Sequence, residues 1–309
     1  MTVQKPVALN KGDTIGIVAT ARWISSENLD TAKSFWKSKG YNVAIHPNNY
    51  SRHHEWGGDH QERADAFLEY WNDPNITAIF SAAGGNRTLH LLDYIDFSKL
   101  QKTPKIIMGF SDTTALINAI YSKCGIVTFH GPSATGYAKP HAETYFEEAT
   151  ALLSGEETTH SFSKATILRE GSCEGELIGG NMCIFNYLLG TSYVSTLKNK
   201  ILFLEDDGEE IRNIDRMLLN LKRLGKLNDI AGLMVGGFSS IGNNGSKGFP
   251  YTLDELLLEH TYGLNIPIIT HAPFSHREEL TPLPIGIRAK LSARDKDITL
   301  NLQEAAVIK

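Results

Sequence analysis

The chain has 309 residues and a mass of 34.1 kDa, about twice the ~150 residues typical of one domain, so two domains are expected. With 41% hydrophobic and 21% charged residues it is neither collagen-like, low-complexity nor disordered, and it is long enough to bury a core without disulfide or metal staples. Lys and Arg number 30 against 35 Asp and Glu, a net charge of −5 that leaves no basic excess for a nucleic-acid partner.

Apolar runs such as Ile230–Phe238 fall far short of the ~20 residues a membrane-spanning helix needs, so no membrane partner is expected. The opening MTVQKPVALNKGDTIGIV lacks an apolar stretch followed by a small-residue cleavage site, which points to the cytoplasm. Cys124, Cys173 and Cys183 form neither a CxxC nor a zinc pattern and read as reduced, mostly buried thiols.

In chain order, Thr14–Thr20 reads as a buried strand, and Ser25 or Ser26 caps a helix ending near Gly40. Tyr41–His46 is a second strand. A helix over His60–Trp71 carries Ala64, Phe67, Leu68 and Trp71 on one stripe. Strands follow at Ile76–Ala82, Lys105–Ser111 and Ile126–Phe129, so the first half alternates strand and helix as a mostly parallel sheet between helical layers does. The polar stretch from Gly155 to Ser163 suggests a break, giving an N-terminal α/β domain over 1–155, a linker over 156–172 and a second domain over 173–309. There, strands are expected at Ile201–Leu204, Gly232–Val235 and Pro267–Thr270, and helices at Ile211–Leu224 and Leu253–His260. A closing hairpin around Arg294-Asp295-Lys296 turns Ile287, Ala289, Leu291, Ile298, Leu300 and Leu302 to one side. The fold class is therefore α/β, with a mixed, strand-rich C-terminal domain. No internal repeat is visible.

Parallel sheets bind ligands at the carboxyl ends of their strands. Three polar residues stand there. Ser111, in Met108-Gly109-Phe110-Ser111-Asp112, sits between a strand and a helix, where helix N-terminal amides favour a developing oxyanion. By position alone it could equally be an N-cap, and the motif lacks the second glycine of a GxSxG elbow. Glu205 follows Leu202-Phe203-Leu204 and could orient a histidine or belong to a solvated acidic loop with Asp206 and Asp207. His276 lies beyond the Ile266-Pro267-Ile268-Ile269-Thr270 strand. The order Ser, Glu, His repeats the chain order of an α/β-hydrolase triad, in which His deprotonates Ser and a carboxylate fixes the imidazole. The Gly84-Gly85 pair lets backbone approach a substrate closely, and Gly85 N–H with Asp112 N–H is the expected oxyanion hole. Neither GxGxxG nor Gly-Lys-Ser/Thr supports a phosphate cradle there. His53-His54 reads as surface loop, since adjacent histidines seldom ligate one ion.

The segments KIIMGFSDTTAL, LIGGNMCIFNYLLGTSY, ILFLEDDGEEIRNIDRMLLNLKRLG and FSHREELTPLPIG together resemble the LD-carboxypeptidase family of serine peptidases. That family includes muramoyltetrapeptide carboxypeptidases and microcin C self-immunity peptidases. The resemblance spans nearly the whole chain. It implies Ser111 as nucleophile, Glu205 as the orienting acid and His276 as base, in a site between the two domains, usually of a homodimer. The implied reaction is hydrolysis of the bond to the terminal D-alanine of a muropeptide stem, with no metal or organic cofactor. Where many recycling enzymes carry Arg-Gly-Gly-Tyr-Gly, this chain has Ala83-Gly84-Gly85-Asn86-Arg87. This segment looks closer to the microcin-immunity branch, whereas LFLEDDGE and IDRML look closer to the recycling branch and weigh more. The alternative, an amidase that inactivates a microcin-like peptidyl-nucleotide, needs a large aromatic on a loop to stack a purine, and Trp56 is the candidate. A non-catalytic binder of small anionic peptides would use the same cleft. Among cations for the substrate's terminal carboxylate, Arg87, Arg212, Arg216 and Arg288 are candidates, with Asn86 beside Arg87; Asp215 and Arg216 could instead form an internal bridge.

Overall fold

The computed structural model describes residues 3–139, 142–156, 158–194, 196–239, 248–276 and 279–309. The first two residues, Glu157 in the expected linker, and Arg277 and Glu278 of the FSHREELTPLPIG stretch lie outside the described residues. The chain folds into two compact units. The first comprises 1–157 with 281–286 and 305–309, and the second 158–280 with 287–304.

The first unit runs β1 (Thr14–Val18), α1 (Ser26–Ser38), β2 (Asn42–Ile45), α2 (His60–Asn72), β3 (Ala78–Ser81), α3 (Phe97–Leu100), β4 (Ile106–Gly109), α4 (Thr114–Cys124), β5 (Thr128–His130) and α5 (Glu143–Ser154). Helix starts follow local capping chemistry: Ser25 Oγ accepts from Asn28 N–H, and Asp59 and Glu62 form a reciprocal capping box on α2. The strands are short, and the central β3, β4 and β5 are buried throughout, as a sheet covered on both faces requires, while the edge strand β2 is only half-buried. One helical layer centres on Trp36 of α1, edge-on to Phe80 of β3 and packed against Phe146 of α5. In the other layer Trp71 of α2 donates its indole N–H to the Leu100 carbonyl at the end of α3.

The second unit begins with β6 (Thr159–Ser161), β7 (Thr166–Arg169), β8 (Gly171–Asn181), α6 (Met182–Leu188), β9 (Ile201–Asp207), α7 (Ile211–Arg223), α8 (Lys226–Asp229), β10 (Gly232–Ser239), α9 (Leu253–His260) and β11 (Ile268–Thr270). Next comes β12 (Leu283–Ile285), which belongs to the first unit. The hairpin β13 (Arg288–Arg294) and β14 (Asp297–Leu302) then returns to the second.

The first unit's sheet has the order β12-β5-β4-β3-β1-β2, parallel except for the antiparallel edge strand β12. The second unit's eight strands run β6-β14-β13-β8-β9-β10-β11-β7. Four of them, β8 to β11, are parallel, and antiparallel strands flank them on both sides. The architecture is thus α/β with a mixed, strand-rich second unit. Residues 156–172, expected as a linker, contain β6 and β7, which are edge strands of the second sheet; their polar composition reflects an exposed edge rather than a connection. The C-terminal hairpin turns at Asp295 and Lys296, both at positive φ, and all six apolar residues expected on its inner side are buried. Among the described residues, no helix is long and apolar enough to cross a membrane.

Candidate active site

Ser111 stands where β4 gives way to α4. The chain leaves the strand through an extended Phe110, places Ser111 at a φ of +57°, and enters a tight turn over Ser111–Thr113. A left-handed conformation costs a residue with a Cβ roughly 1–2 kcal/mol, so surrounding contacts must hold it. They are visible. Thr113 Oγ1 donates to Ser81 Oγ at 3.1 Å, and Ser81 Oγ donates to the Ala83 carbonyl at 3.0 Å. The turn is thereby tied to the end of β3. No side chain caps α4: its N-cap is Thr113, and the Thr114 N–H bonds to the backbone carbonyls of Ser111 and Asp112. Capping is therefore not the task of Ser111, which is half-buried on a strained strand-to-helix turn of the kind that presents a nucleophile.

Gly84 lies against this turn, and Gly85, at a φ of +145°, backs onto Ala21 and Arg22. A Cβ on Gly84 would come within 2.9 Å of Ser111 Cβ and 3.1 Å of its Oγ. Four residues on, the Thr88 N–H donates to Asp112 Oδ2 at 2.7 Å, so the loop over 84–88 is fastened at both ends to Ser111 and Asp112. Asp112 is 2% exposed. Burial pushes its carboxyl above the usual range, against the pull of the Thr88 hydrogen bond and the charges of Arg63 and His90. Its side chain thus braces the loop.

In the second unit, His276 Nδ1 lies 2.6 Å from Glu205 Oε2. Glu205 is inside β9, fully buried, not in a solvated loop; Asp206 beside it is buried as well. Glu205 Oε1 has no partner among the described residues. The glycines of β10, the strand beside β9, place the histidine. A Cβ on Gly236 would fall 2.0 Å from the Phe274 carbonyl oxygen, and one on Gly237 would fall 2.5 Å from Ser275 Cβ. Only bare backbone lets the 274–276 segment approach this closely, and the Gly237 N–H donates to the Phe274 carbonyl at 3.0 Å. Burial lowers the imidazole's basicity, but the hydrogen bond and charge of Glu205, with Asp207 and Asp206 behind it, outweigh that and raise His276 above its ordinary value. Asp206 accepts from Asn181 Nδ2 and from the Cys183 and Asp207 N–H groups, and burial pushes its carboxyl up to about 6. The arrangement can take up a proton at His276 and stabilise the imidazolium it creates.

The remaining candidates separate. Arg216 is exposed and donates to Asn213 on its own helix; Asp215 pairs with His260 at 2.7 Å, not with Arg216. Arg288 pairs with Glu174 at 3.5 Å, and Arg212 lies 3.7 Å from Glu210. Arg87 has its guanidinium 4.6 Å over the ring of Trp56, whose indole N–H donates to Asn86 Oδ1 at 2.6 Å. His53 and His54 are exposed and pack on Trp56. Cys124 is buried, Cys173 and Cys183 are half-buried, and none of the three is in a disulfide. Among the described residues, no group of three or more His, Cys, Asp or Glu is placed to hold a metal ion. Ser81, His60 and Arg63 act on their neighbours and carry no motif that marks them in the sequence, and Asp206, expected only as a possible member of an acidic loop, is buried. The Gly236-Gly237 pair inside a strand was the one available signal.

Models of the LD-carboxypeptidase N-terminal and C-terminal domains match residues 15–131 and 174–291. The chain belongs to the LD-carboxypeptidase family. As a member it is a hydrolase of the carboxypeptidase class. It is 35% identical over 297 residues to the probable murein peptide carboxypeptidase of Bacillus subtilis strain 168, covering 94% of this chain and 92% of the relative. The solved muramoyltetrapeptide carboxypeptidase from Oxalobacter formigenes superposes with a TM-score of 0.87 at 27% identity, over 96% of this LD-carboxypeptidase chain and 100% of that one. MccF in complex with glutamyl sulfamoyl guanosine gives a TM-score of 0.87 at 25% identity, over 97% and 99% of the two chains.

Proposed function

We propose that the enzyme hydrolyses the L,D-peptide bond to the terminal D-alanine of murein tetrapeptides, with Ser111 as nucleophile, His276 as general base and Glu205 orienting it. The observation that carries this reading is Ser111 itself, held at a φ of +57° on the β4–α4 turn beside a glycine that has no room for a side chain. A buried carboxylate 2.6 Å from His276 Nδ1 supports it, because that contact leaves the other ring nitrogen as the basic one.

In the proposed sequence Ser111 Oγ attacks the carbonyl carbon of the third stem residue while its proton passes to His276. The Gly85 and Asp112 N–H groups hold the oxyanion; one such donor is typically worth ~3 kcal/mol. Collapse breaks the C–N bond, the proton on His276 goes to the departing amine, and D-alanine leaves an ester on Ser111. Water then gives a proton to His276 and attacks the ester. The tripeptide acid departs and Ser111 recovers its proton, so each cycle consumes one water and one peptide bond.

Purified protein incubated with a murein tetrapeptide is expected to release free D-alanine, and Ser111→Ala is expected to lower turnover by ~10⁶. Release that survives the substitution overturns the assignment. The alternative, an amidase acting on a peptidyl-nucleotide, draws support from the likeness to MccF. It is disfavoured because Trp56, the expected nucleoside stacker, is covered on a face by Arg87. Peptidyl sulfamoyl adenosine run in the same assay separates the two. The proposal also entails a cytoplasmic setting and a homodimer, to be read by cell fractionation and light scattering.

A further inference from the structure

Arg87 stands apart from the other arginines considered for the substrate's carboxylate. It occupies a left-handed conformation, φ +71°, at the end of the loop whose fastenings are Gly84 on Ser111 and Thr88 on Asp112. Its guanidinium is therefore presented by the same short segment that borders the nucleophile. Trp56 stacks beneath it, and Trp56 is in turn held by Asn86, whose amide donates to Glu55 at 3.1 Å. A planar cation with its stem and plane already fixed loses little freedom on binding a planar anion.

The surroundings of Arg87 are short of acceptors. Its Nη2 lies 2.8 Å from His60 Nε2, while Arg63 Nη2 lies 2.7 Å from His60 Nδ1. A neutral imidazole offers one lone pair, so it cannot accept from both guanidinium groups; a protonated one accepts from neither. Burial and the charges of Arg63, Arg87 and His90 outweigh the pull of Asp59 and lower the basicity of His60, which favours the neutral ring. Arg63 is fully buried and has other outlets, with Nη1 donating to the Thr20 carbonyl at 2.8 Å and the charge of Asp112 nearby. Arg87 has no such relief. Among the described residues no carboxylate pairs with it, and its buried Nε has no acceptor. Arg288 and Arg212, by contrast, already lie beside carboxylates, and Arg216 is satisfied by an amide.

We infer that Arg87, aligned by Trp56 and His60, is the specificity-determining cation that receives the free C-terminal carboxylate of the peptide substrate. The carboxylate supplies the two acceptors that the Arg63–His60–Arg87 row lacks, and it makes the enzyme an exopeptidase by rewarding a chain that ends one residue past the scissile bond. This inference rests on the peptidase reading above.

The test compares a murein tetrapeptide with its C-terminal carboxamide in the wild-type enzyme and in Arg87→Gln, Arg87→Met and Arg87→Lys. Met keeps an unbranched apolar stem over Trp56 where Gln fails to fold. The wild type is expected to prefer the acid by roughly 10- to 100-fold in kcat/KM, the span of one to two charge-assisted contacts. In the Gln and Met variants that ratio is expected to collapse toward one, through KM on the acid, with the amide little changed, and Lys is expected to restore part of it. A wild type indifferent to amidation, or variants that lose acid and amide equally, overturns the inference while the peptidase reading stands. A wild type that cleaves neither peptide removes the peptidase reading, and this inference with it.

Discussion

The pairing of His276 with Glu205 makes a quantitative demand on Glu205→Gln. Gln has the shape of Glu, so the fully buried position stays filled, but the negative charge 2.6 Å from His276 Nδ1 is lost. A unit ion pair with charge centres about 4 Å apart in an effective dielectric near 20 is worth about 4 kcal/mol, equivalent to about 10³ in rate if the imidazolium forms only in the transition state. The Gln amide also donates toward Nδ1 when it turns its nitrogen inward, which selects the tautomer that cannot act as base, and comparable triad substitutions elsewhere lower kcat by about 10⁴. The expected loss is therefore between about 10³ and 10⁴ in kcat for D-alanine release, with a thermal melt close to that of the wild type. The pH profile gives a second readout. His276 must be neutral to act as base, and its proton affinity is raised in the native protein, so the acid limb of kcat/KM should lie above the ordinary histidine value near 6.5. Removing the Glu205 charge leaves burial opposed only by Asp206 and Asp207, and the limb should move to lower pH. Turnover within tenfold of wild type, or an acid limb that does not move, would refute the claim that Glu205 acts through His276.

Two further outcomes follow from the packing. Gly84→Ala places a methyl 2.9 Å from Ser111 Cβ and must displace the turn that carries Ser111, so under the proposed mechanism kcat should fall at least ~10²-fold while the melting temperature drops by only a few degrees; unchanged kinetics would show that the contact is irrelevant. Asp206 binds its proton more tightly folded, at about 6, than unfolded, at about 4, so it contributes stability that is lost as pH rises between those values, by roughly 3 kcal/mol. Asp206→Asn should abolish that descending component in melts recorded across pH 4 to 6, and an identical slope in both proteins would contradict it.

Much of the fold was legible because it follows from local rules. The buried strands β1, β3 and β4 read as continuous apolar runs, α7 shows its stripe at Ile211, Ile214, Leu218 and Leu221, and the two-residue hairpin turn carries Asp-Lys between alternating segments. The strands missed were those whose composition is set by an edge or by close backbone approach. β6 is polar because one side faces solvent, β7 is a four-residue edge strand with only Ile167 and Leu168 apolar, and β8 is glycine-rich because a Cβ on Gly179 would fall 1.8 Å from the Phe203 carbonyl oxygen. The site divided the same way. Ser111, Glu205 and His276 were visible as polar residues after strands, but whether Glu205 was buried or solvated depended on partners distant in sequence. Three consecutive acids are equally compatible with a solvated loop and a buried site; two of them are in the core. The Arg63–His60–Arg87 row was equally hidden, since it joins the start of α2 to a loop some 27 residues later.

The edge strand β12 has a consequence for how this molecule is made. The unit that carries Ser111 takes its last sheet strand from residues 283–285, and residues 305–309 also belong to it, with the Ile308 backbone bonded to Pro6 and Ala8. A ribosome therefore delivers the whole second unit except its closing hairpin before the first can complete its sheet. Until then β5 offers an open edge, and a fragment ended at residue 157 keeps that edge for good. Such a fragment invites strand-mediated aggregation, so the scaffold that holds Ser111 is completed only by residues from beyond the second unit's last helix.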